Sequence, residues 1–221
     1  MKKLLLILLC CPIIGWGQID AGNNQTICEG DTSQVIGITS IQSSTDSYQV
    51  TNITFAPELI LGTPIVLSDD DVQGPFPIGF SFQFYGNNYT NFYAGSNGWI
   101  GFSSGQPTAL SAMPIPDSTG YVPRDCIMLS WEDLNPSTGG QVVYQTIGNA
   151  PNRRMIFTFD NVPYFATTIP ITSQVVLYEG SNVIDNHITD KPLHTNPSVQ
   201  GIHDLLGTSA TVVSGRNATI W

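Results

Sequence analysis

Short runs of alternating apolar and polar residues fill the chain from residue 48 onward, and each run ends at glycine, proline, asparagine or aspartate. Side chains that alternate with a period of two lie on opposite faces of a β-strand, and these joint residues favour tight turns. No comparable stretch shows apolar residues at helical spacing, and 15 prolines with 21 glycines would interrupt most helices. The pattern predicts an all-β fold: an antiparallel β-sandwich, for example a jelly roll, or a barrel, in a single main domain.

Two hairpins are predicted from their joints. Residues 174–178 and 183–188 flank the turn Glu-Gly-Ser-Asn, whose glycine supplies the positive φ that a tight hairpin requires. Residues 141–146 and 155–159 flank a longer loop rich in glycine, asparagine and proline, and these runs should also pair.

The segment of residues 76–103 is aromatic-rich and contains no charged residue. Large apolar side chains alternate along it with small and polar ones, as on a strand with one buried face. We expect them to form the aromatic centre of the sandwich: Phe80, Phe82, Phe84, Phe92, Trp99, Ile100 and Phe102.

Residues 1–17 have the three-part plan of a secretory signal peptide: two lysines, a short apolar run, and small residues before the expected cleavage after Gly17. The alternative is a lipoprotein leader in which Cys10 or Cys11 is acylated. Either leader implies export to the cell surface or the extracellular space. No later stretch approaches the roughly 20 apolar residues that span a bilayer.

Charge and composition bear on whether the chain folds and on which class of partner it binds. Charged residues make up only 11% of the chain, and 7 Lys plus Arg stand against 17 Asp plus Glu. Few charges and many aromatic residues favour a folded chain over a disordered one. Because no basic cluster is available to neutralise a phosphate backbone, we expect no nucleic-acid partner.

Removal of the leader leaves two cysteines, Cys28 and Cys126. In an exported chain they are candidates for a disulfide bond. The alternative is that each is free and buried, because sequence separation does not show whether the two Cα atoms lie within bonding range.

One acidic run is a candidate metal site. Asp69, Asp70 and Asp71 offer oxygen ligands of the kind that Ca²⁺ prefers, and calcium is the one cofactor we consider. The run lacks the glycine-spaced pattern of a known calcium loop, so the alternative is an ordinary solvated bend.

No residue set predicts an active site, and we expect the chain not to be an enzyme. Glu132 and Asp133 are a carboxylate pair of the kind that glycoside cleavage uses, but adjacent residues of a strand point to opposite faces. His187, His194 and His203 are too scattered to show metal-ligand spacing.

Four tyrosines near turn residues are candidate ligand contacts, since the loops of a rigid sandwich present binding groups. The alternative is that they cover the edge of the core. They are Tyr85, Tyr89, Tyr93 and Tyr121.

The order of several blocks carries a family resemblance. "LSDDDVQGPFPIGFSFQFYGNNYTNFYAGSNGWIGFS" is followed by "IMLSWEDLNP", "VVLYEGSNVIDNHITDKP", "VQGIHD" and "SGRNATIW". Residues 48–221 thereby resemble a domain near the N-terminus of large Bacteroidetes cell-surface proteins, described as gliding motility-associated or as type IX secretion substrates. They are also similar to nidogen-like extracellular domains. The lead-in, residues 18–47, is either a linker or the opening of an Ig-like or PKD-like repeat.

The resemblance implies further expectations. Such proteins run on into repeats and a sorting domain, so we expect the sandwich to continue beyond Trp221 and the full-length protein to use the type IX secretion machinery. Ser118, in the run Asp-Ser-Thr, fits the O-glycosylation context of these bacteria.

Three functions stay open at this stage. The first is a non-enzymatic adhesion or interaction module of an exported surface protein, with extracellular proteins or glycans as partners. The second is a carbohydrate-binding module of a secreted polysaccharide-degrading enzyme. The third is a structural subunit of an extracellular filament or envelope complex.

Overall fold

The structure is a computed structural model that describes residues 18–20, 38–40 and 45–221. The chain divides into two compact units, Met1–Ser43 and Ser44–Trp221. In the first unit, β1 (Gln18–Asp20) pairs antiparallel with β2 (Ile38–Ser40). The expected leader and most of the expected lead-in lie outside the described residues.

The second unit contains two antiparallel sheets, which confirms the all-β sandwich. The strands of the five-stranded sheet, in spatial order, are β11 (Ile184–Asp190), β10 (Pro170–Tyr178), β9 (Arg154–Pro163), β8 (Gln141–Ile147) and β3 (Thr63–Ile65). Those of the six-stranded sheet are β13 (Ala210–Thr219), β12 (Ser198–His203), β7 (Cys126–Trp131), β6 (Trp99–Gly101), β5 (Asn87–Gly95) and β4 (Val72–Phe84). A single 3-10 turn, Pro136–Thr138, lies between β7 and β8.

Both predicted hairpins are present. Strand β10 pairs with β11 through a turn in which Gly180 and Asn182 have φ of 75° and 54°. Strand β8 pairs with β9. Arg153, just before β9, braces these hairpins because its guanidinium pairs with the Glu179 carboxylate at 2.5 Å.

The main core lies between the two sheets and contains most of the predicted aromatic centre. Phe80, Phe82 and Phe84 project into it together from β4, as their alternation predicted. Trp99 is the exception, because it belongs to a second buried cluster. The main core also includes the inner side chains of β9 and β10.

Central strands of both sheets are buried on both faces. All six residues of β7 are buried, and in β10 seven consecutive residues from Ile171 to Leu177 are buried. An antiparallel sheet of a small domain often leaves one face to water, so these strands need a cover on the outside.

Residues 102–125, here called the capping loop, provide that cover for the six-stranded sheet. The loop joins β6 to β7 and packs Ala112, Ile115 and Val122 against the sheet. Together they form the second core, which consists of Trp99, Ala112, Ile115, Val122, Cys126, Met128, Trp131 and Val199.

Polar side chains of the sheet pin the capping loop in place. The Asn217 amide accepts from the Ile115 backbone N–H and donates to the Ile115 carbonyl, both at 2.9 Å. The Trp131 indole donates to the Ala109 carbonyl at 2.9 Å. These bonds satisfy loop backbone groups that have no neighbouring strand.

The buried His203 adds a third attachment. Its Nε2 accepts from the Asp117 backbone N–H at 3.1 Å, and its Nδ1 lies 2.8 Å from the Pro123 carbonyl oxygen. His203 therefore attaches the capping loop to strand β12 through both of its ring nitrogens.

Cys126 is a free, buried thiol in this cluster, so the expected disulfide with Cys28 is not present at Cys126. Its Sγ donates to the Pro123 carbonyl oxygen at 3.3 Å, and burial raises the pKa of the thiol. Cys126 lies on the central strand β7 beneath the capping loop. Cys28 lies outside the described residues.

Within the described parts of the chain, none of the helical segments has the length and apolar character needed to cross a bilayer.

The packing of the capping loop predicts a sharp contrast between two of its residues. Ile115 is buried in the second core, whereas Met113 is exposed. We expect Ile115→Ala to lower the free energy of unfolding by about 3 kcal/mol, because it opens a cavity. Met113→Ala should change it by less than about 0.5 kcal/mol. Urea unfolding followed by tryptophan fluorescence measures both, and equal losses would contradict a packed loop.

Candidate functional site

The turn Ser96-Asn97-Gly98 organises the loops at one end of the six-stranded sheet. It joins β5 to β6, and Ser96 and Asn97 are each 1% exposed. Gly98 has φ of 81°, as expected for its place in the turn, and its carbonyl accepts from the Leu129 backbone N–H at 3.0 Å. The turn is therefore an internal part of the domain.

Asn97 connects three chain segments by hydrogen bonds. Its Nδ2 donates to Asp70 Oδ1 at 2.9 Å, and its Oδ1 accepts from the Leu134 backbone N–H at 2.9 Å. Its backbone carbonyl accepts from the Glu132 N–H at 3.2 Å. Asn97 thus holds the acidic run before β4 next to the segment that follows β7.

This arrangement brings three carboxylates together. One oxygen from each of Asp69, Asp70 and Asp133 lies within 4.8 Å of the others. Asp71, the third predicted ligand, is turned away, since its carboxylate accepts from the Ser68 backbone N–H and from the Gln73 amide. Asp133 takes its place in the cluster.

Two of the three carboxylates, Asp133 and Asp69, have raised pKa values. Burial raises the pKa of Asp133 to about 6, with further contributions from Asp70, Asp69 and Glu132, and His194 opposes the shift. Burial and the Asp70 charge also raise the pKa of Asp69. Asp69 Oδ1 is enclosed and has no hydrogen-bond partner among the described residues.

Chemically, the cluster presents hard oxygen donors and net negative charge. A divalent cation such as Ca²⁺ takes oxygen ligands of this kind and would neutralise the repulsion. The residues that would hold it are Asp69, Asp70 and Asp133.

Glu132 lies next to Asp133 in the chain but faces a different environment. Its carboxylate is 1% exposed and lies 3.2 Å from Lys191 Nζ and 2.9 Å from His194 Nδ1. The Lys191 side chain is itself 4% exposed. Removing one partner of such a buried pair leaves an uncompensated charge. Glu132 therefore acts as an internal anchor.

Aromatic rings enclose this anchor. The His194 imidazole stacks on the Tyr164 ring with centroids 4.4 Å apart. Lys191 Nζ lies 4.3 Å from the centroid of Trp221 and donates to the Trp221 carbonyl at 3.1 Å. The sequence pattern gave no signal for this group, because its members are far apart along the chain.

Glu132 and Asp133 have different contacts: the Glu132 carboxylate contacts Lys191 and His194, whereas Asp133 joins Asp69 and Asp70. The three histidines also stay apart: His187 lies in the five-stranded sheet, His203 in the six-stranded sheet, and His194 stacks on Tyr164.

The four candidate tyrosines separate into two groups. Tyr85 and Tyr89 pack against the main core, and the Tyr89 hydroxyl donates to the buried Asp125 carboxylate at 2.9 Å. Tyr93 is half-buried beside Gly74. Only Tyr121 among the four is fully available, with 73% of its surface exposed on the capping loop.

Ser118 lies on the same loop and is exposed. Its neighbours form a local turn in which Asp117 Oδ1 accepts from both the backbone N–H and the hydroxyl of Thr119. These bonds lower the pKa of Asp117. O-glycosylation of Ser118 stays a prediction.

The Ser96-Asn97-Gly98 turn yields a matched pair of glycine substitutions. A Cβ at Gly98 would lie 2.5 Å from the Ser130 carbonyl oxygen, whereas a Cβ at Gly105 would meet nothing within 4 Å. Both glycines have positive φ, 81° and 73°. We expect Gly98→Ala to lower the free energy of unfolding by about 3 kcal/mol. Gly105→Ala should lower it by about 1 kcal/mol, because the only cost is that of placing alanine in a left-handed backbone conformation. Chemical denaturation compares them, and similar costs would contradict the close contact.

The raised pKa of Asp133 predicts a pH-dependent gain from its neutral isostere. The folded state holds the Asp133 proton more tightly than the unfolded state, so ionisation of Asp133 destabilises the fold. This loss of stability is absent below about pH 4, grows as pH rises, and is complete above about pH 6. Because Asp133 is partly exposed, we expect Asp133→Asn to raise the free energy of unfolding by only about 1 kcal/mol at pH 7.5. Little change is expected at about pH 4. Urea titrations in EDTA measure this difference.

Calcium gives that experiment a second arm. If the carboxylates hold the cation, millimolar Ca²⁺ should stabilise the wild type more than Asp133→Asn, because the variant lacks one ligand. Equal responses of the two proteins would count against a cation at Asp69, Asp70 and Asp133. Asp71→Asn is the control, since the Asp71 carboxylate lies outside the cluster.

Comparison with known proteins gives one match. A family model described as NIDO related matches residues 40–220, which include the whole sandwich except its last residue. No curated protein and no solved structure matches the chain. The matched region agrees with the nidogen-like resemblance of the sequence blocks. Since the match extends over most of its length, the chain belongs to the NIDO-related family.

Proposed function

We propose that this chain is a non-enzymatic extracellular interaction module of an exported bacterial surface protein, with adhesion as its role. NIDO-related membership supports the coarser statement, an extracellular interaction module. Attachment to gliding motility and export by the type IX secretion machinery are parts of the proposal that rest on the sequence resemblance. The partners would be other surface proteins or glycans.

The observation that carries the proposal is the capping loop. Loops longer than about 12–15 residues without regular structure are uncommon and usually functional. This loop is fixed to the sheet by Asn217, Trp131 and His203, and it presents Tyr121 to solvent. A fixed loop binds with little loss of conformational entropy, as an interaction surface requires.

Neighbouring residues extend this surface. Arg124, at the end of the loop, donates to the Leu206 carbonyl at 3.4 Å, and Leu206 is 67% exposed. Exposed tyrosine and leucine side chains on adjacent loops are suited to contact a partner, because such side chains bury large apolar areas on binding.

The carboxylates favour a binding role over a hydrolytic one. A two-carboxylate glycosidase needs both groups to face one bond. Here Glu132 is bound to Lys191 and His194 inside the domain, while Asp133 joins Asp69 and Asp70. These contacts support the proposal that the chain is not an enzyme.

The filament alternative finds less support at the sheet edges. Strand addition requires exposed backbone donors, and proline or irregular backbone blocks them. Edge strand β3 contains Pro64, edge strand β4 contains Pro75 and Pro77, and edge strand β13 is interrupted by a positive φ at Gly215. The fourth edge strand, β11, contains neither feature, so strand addition would be confined to that edge. A carbohydrate-binding role remains a second candidate, because the exposed ring of Tyr121 is suited to stack on a sugar ring.

The capping-loop surface predicts which substitutions abolish binding. The chain should be assayed against a glycan array and against a phage-displayed peptide library. We expect Tyr121→Ala and Leu206→Ser to weaken the binding of selected probes by about tenfold or more. Leu193→Ser is the control, because Leu193 is equally exposed at 72% and lies elsewhere in the sequence. Thermal unfolding should be unchanged in all three variants.

Two results would overturn the proposal. The first is that no selected probe binds more weakly to the capping-loop variants than to the wild type. The second is hydrolysis of a polysaccharide that is lost in Asp133→Asn. Glycan binding without peptide binding would favour the carbohydrate-binding candidate over the adhesion module with protein partners.

A further inference from the structure

The outer face of the five-stranded sheet carries a row of buried side chains. In the register of β8, β9, β10 and β11, Val143 pairs with Thr158, Thr158 with Gln174, and Gln174 with His187. All four alternate with residues of the main core and are at most 5% exposed. Ile156 and Val176, in the next row, are also buried. This face, here called the outer groove, is therefore covered.

An extended segment of the chain, residues 49–62, crosses the outer groove and is here called the strap. Gln174 holds it as a neighbouring strand would: its Oε1 accepts from the Glu58 backbone N–H at 2.7 Å, and its Nε2 donates to the Glu58 carbonyl at 3.1 Å. Nε2 also donates to the Thr158 hydroxyl at 3.0 Å, which fixes the amide orientation. One amide thus reads one backbone unit without regard to its side chain.

Other groove residues also contact the strap. The Arg154 guanidinium pairs with the Glu58 carboxylate. The Phe55 ring meets the His187 ring edge-on, with centroids 5.8 Å apart. Gln145 donates to the Leu59 carbonyl at 3.2 Å. Together these contacts involve an aromatic residue, a glutamate three positions later, and the backbone carbonyl of the residue after it.

The strap itself is poorly packed. Its apolar side chains face water, with Leu59 77%, Leu61 60% and Phe55 59% exposed. Segments with few buried apolar contacts open at low free energy. Both flanks are anchored, through Tyr48 against Phe84 and through β3 on β8, so the strap can leave the groove while the sandwich stays folded.

We propose that the outer groove is a peptide-recognition site in which the strap is a resident, displaceable ligand. Its ligand class is an extended segment of a partner polypeptide with an aromatic residue three positions before a glutamate. Arg154 supplies the charge complementary to that glutamate, and Gln174 supplies the backbone pairing. A partner whose apolar side chains turn toward the groove buries them there, whereas the apolar side chains of the strap are exposed.

This inference goes beyond the proposed function, because the outer groove is a different surface from the capping loop and involves none of its residues. The two can fail separately. Tyr121→Ala should leave peptide binding at the outer groove unchanged.

The test uses a fluorescent synthetic peptide of residues 51–62, with sequence TNITFAPELILG, and the full chain carrying Phe55→Ala and Glu58→Ala in its own strap. Fluorescence anisotropy measures the Kd. We expect saturable binding to the strap variant and binding about fivefold or more weaker to the wild type, because the intact strap competes.

A second substitution identifies the site. Arg154→Gln in the strap variant should weaken peptide binding about fivefold, and it should have no further effect on a peptide that carries Glu58→Gln. Arg153→Gln is the matched control, because Arg153 is adjacent but pairs with Glu179. It should leave the Kd unchanged.

Some results would overturn the inference. One is the lack of saturable binding to a strap variant whose near-UV circular dichroism shows a native fold. Another is a Kd that Arg154→Gln and Arg153→Gln change equally. If the double strap variant does not fold, Glu58→Gln alone replaces it, and the same comparisons apply.

Discussion

The central strands of both sheets are buried on two faces, and much of the remaining structure packs on their outer faces. Strand β7 sends Ile127 and Leu129 into the main core and Cys126 and Met128 into the second core. A sandwich protects only the inner faces, so the outer faces need separate covers. Because almost all regular structure in the described part of the domain is strand, the capping loop and the strap provide them.

Loops that cover a sheet bring unpaired backbone groups with them, and two side-chain amides solve this problem in the same way. Asn217 pairs with both backbone groups of Ile115, and Gln174 pairs with both backbone groups of Glu58. An amide carries a donor and an acceptor in the arrangement of a peptide unit, so it substitutes for a missing strand neighbour. The capping loop is packed as well as pinned, whereas the strap is mainly pinned. That difference separates a fixed surface from a displaceable one.

Glu132 and Asp133 are adjacent in the chain but have different electrostatic environments. Glu132 has cationic partners in Lys191 and His194 and stays inside the domain. Asp133, one residue later, meets Asp69 and Asp70, and its pKa rises to about 6. Asn97 sets this arrangement, since its bonds to Asp70 and Leu134 bring the acidic run to the end of β7. The result is one compensated charge and one uncompensated cluster.

The sequence by itself determined the all-β class, the alternation along most strands and the two hairpins. These features are local: a period of two assigns Phe80, Phe82 and Phe84 to one face, and the glycine of Glu-Gly-Ser-Asn permits the turn between β10 and β11. The alternating run of residues 48–55, however, forms no strand in the structure. Tertiary structure decided what depends on distant partners. It placed Trp99 in the second core, replaced Asp71 by Asp133 in the carboxylate cluster, and packed Tyr89 against the main core while leaving Tyr121 exposed. Alternation shows on which face of a strand a side chain lies. It does not show which segment packs on that face, because such segments are far away in the chain.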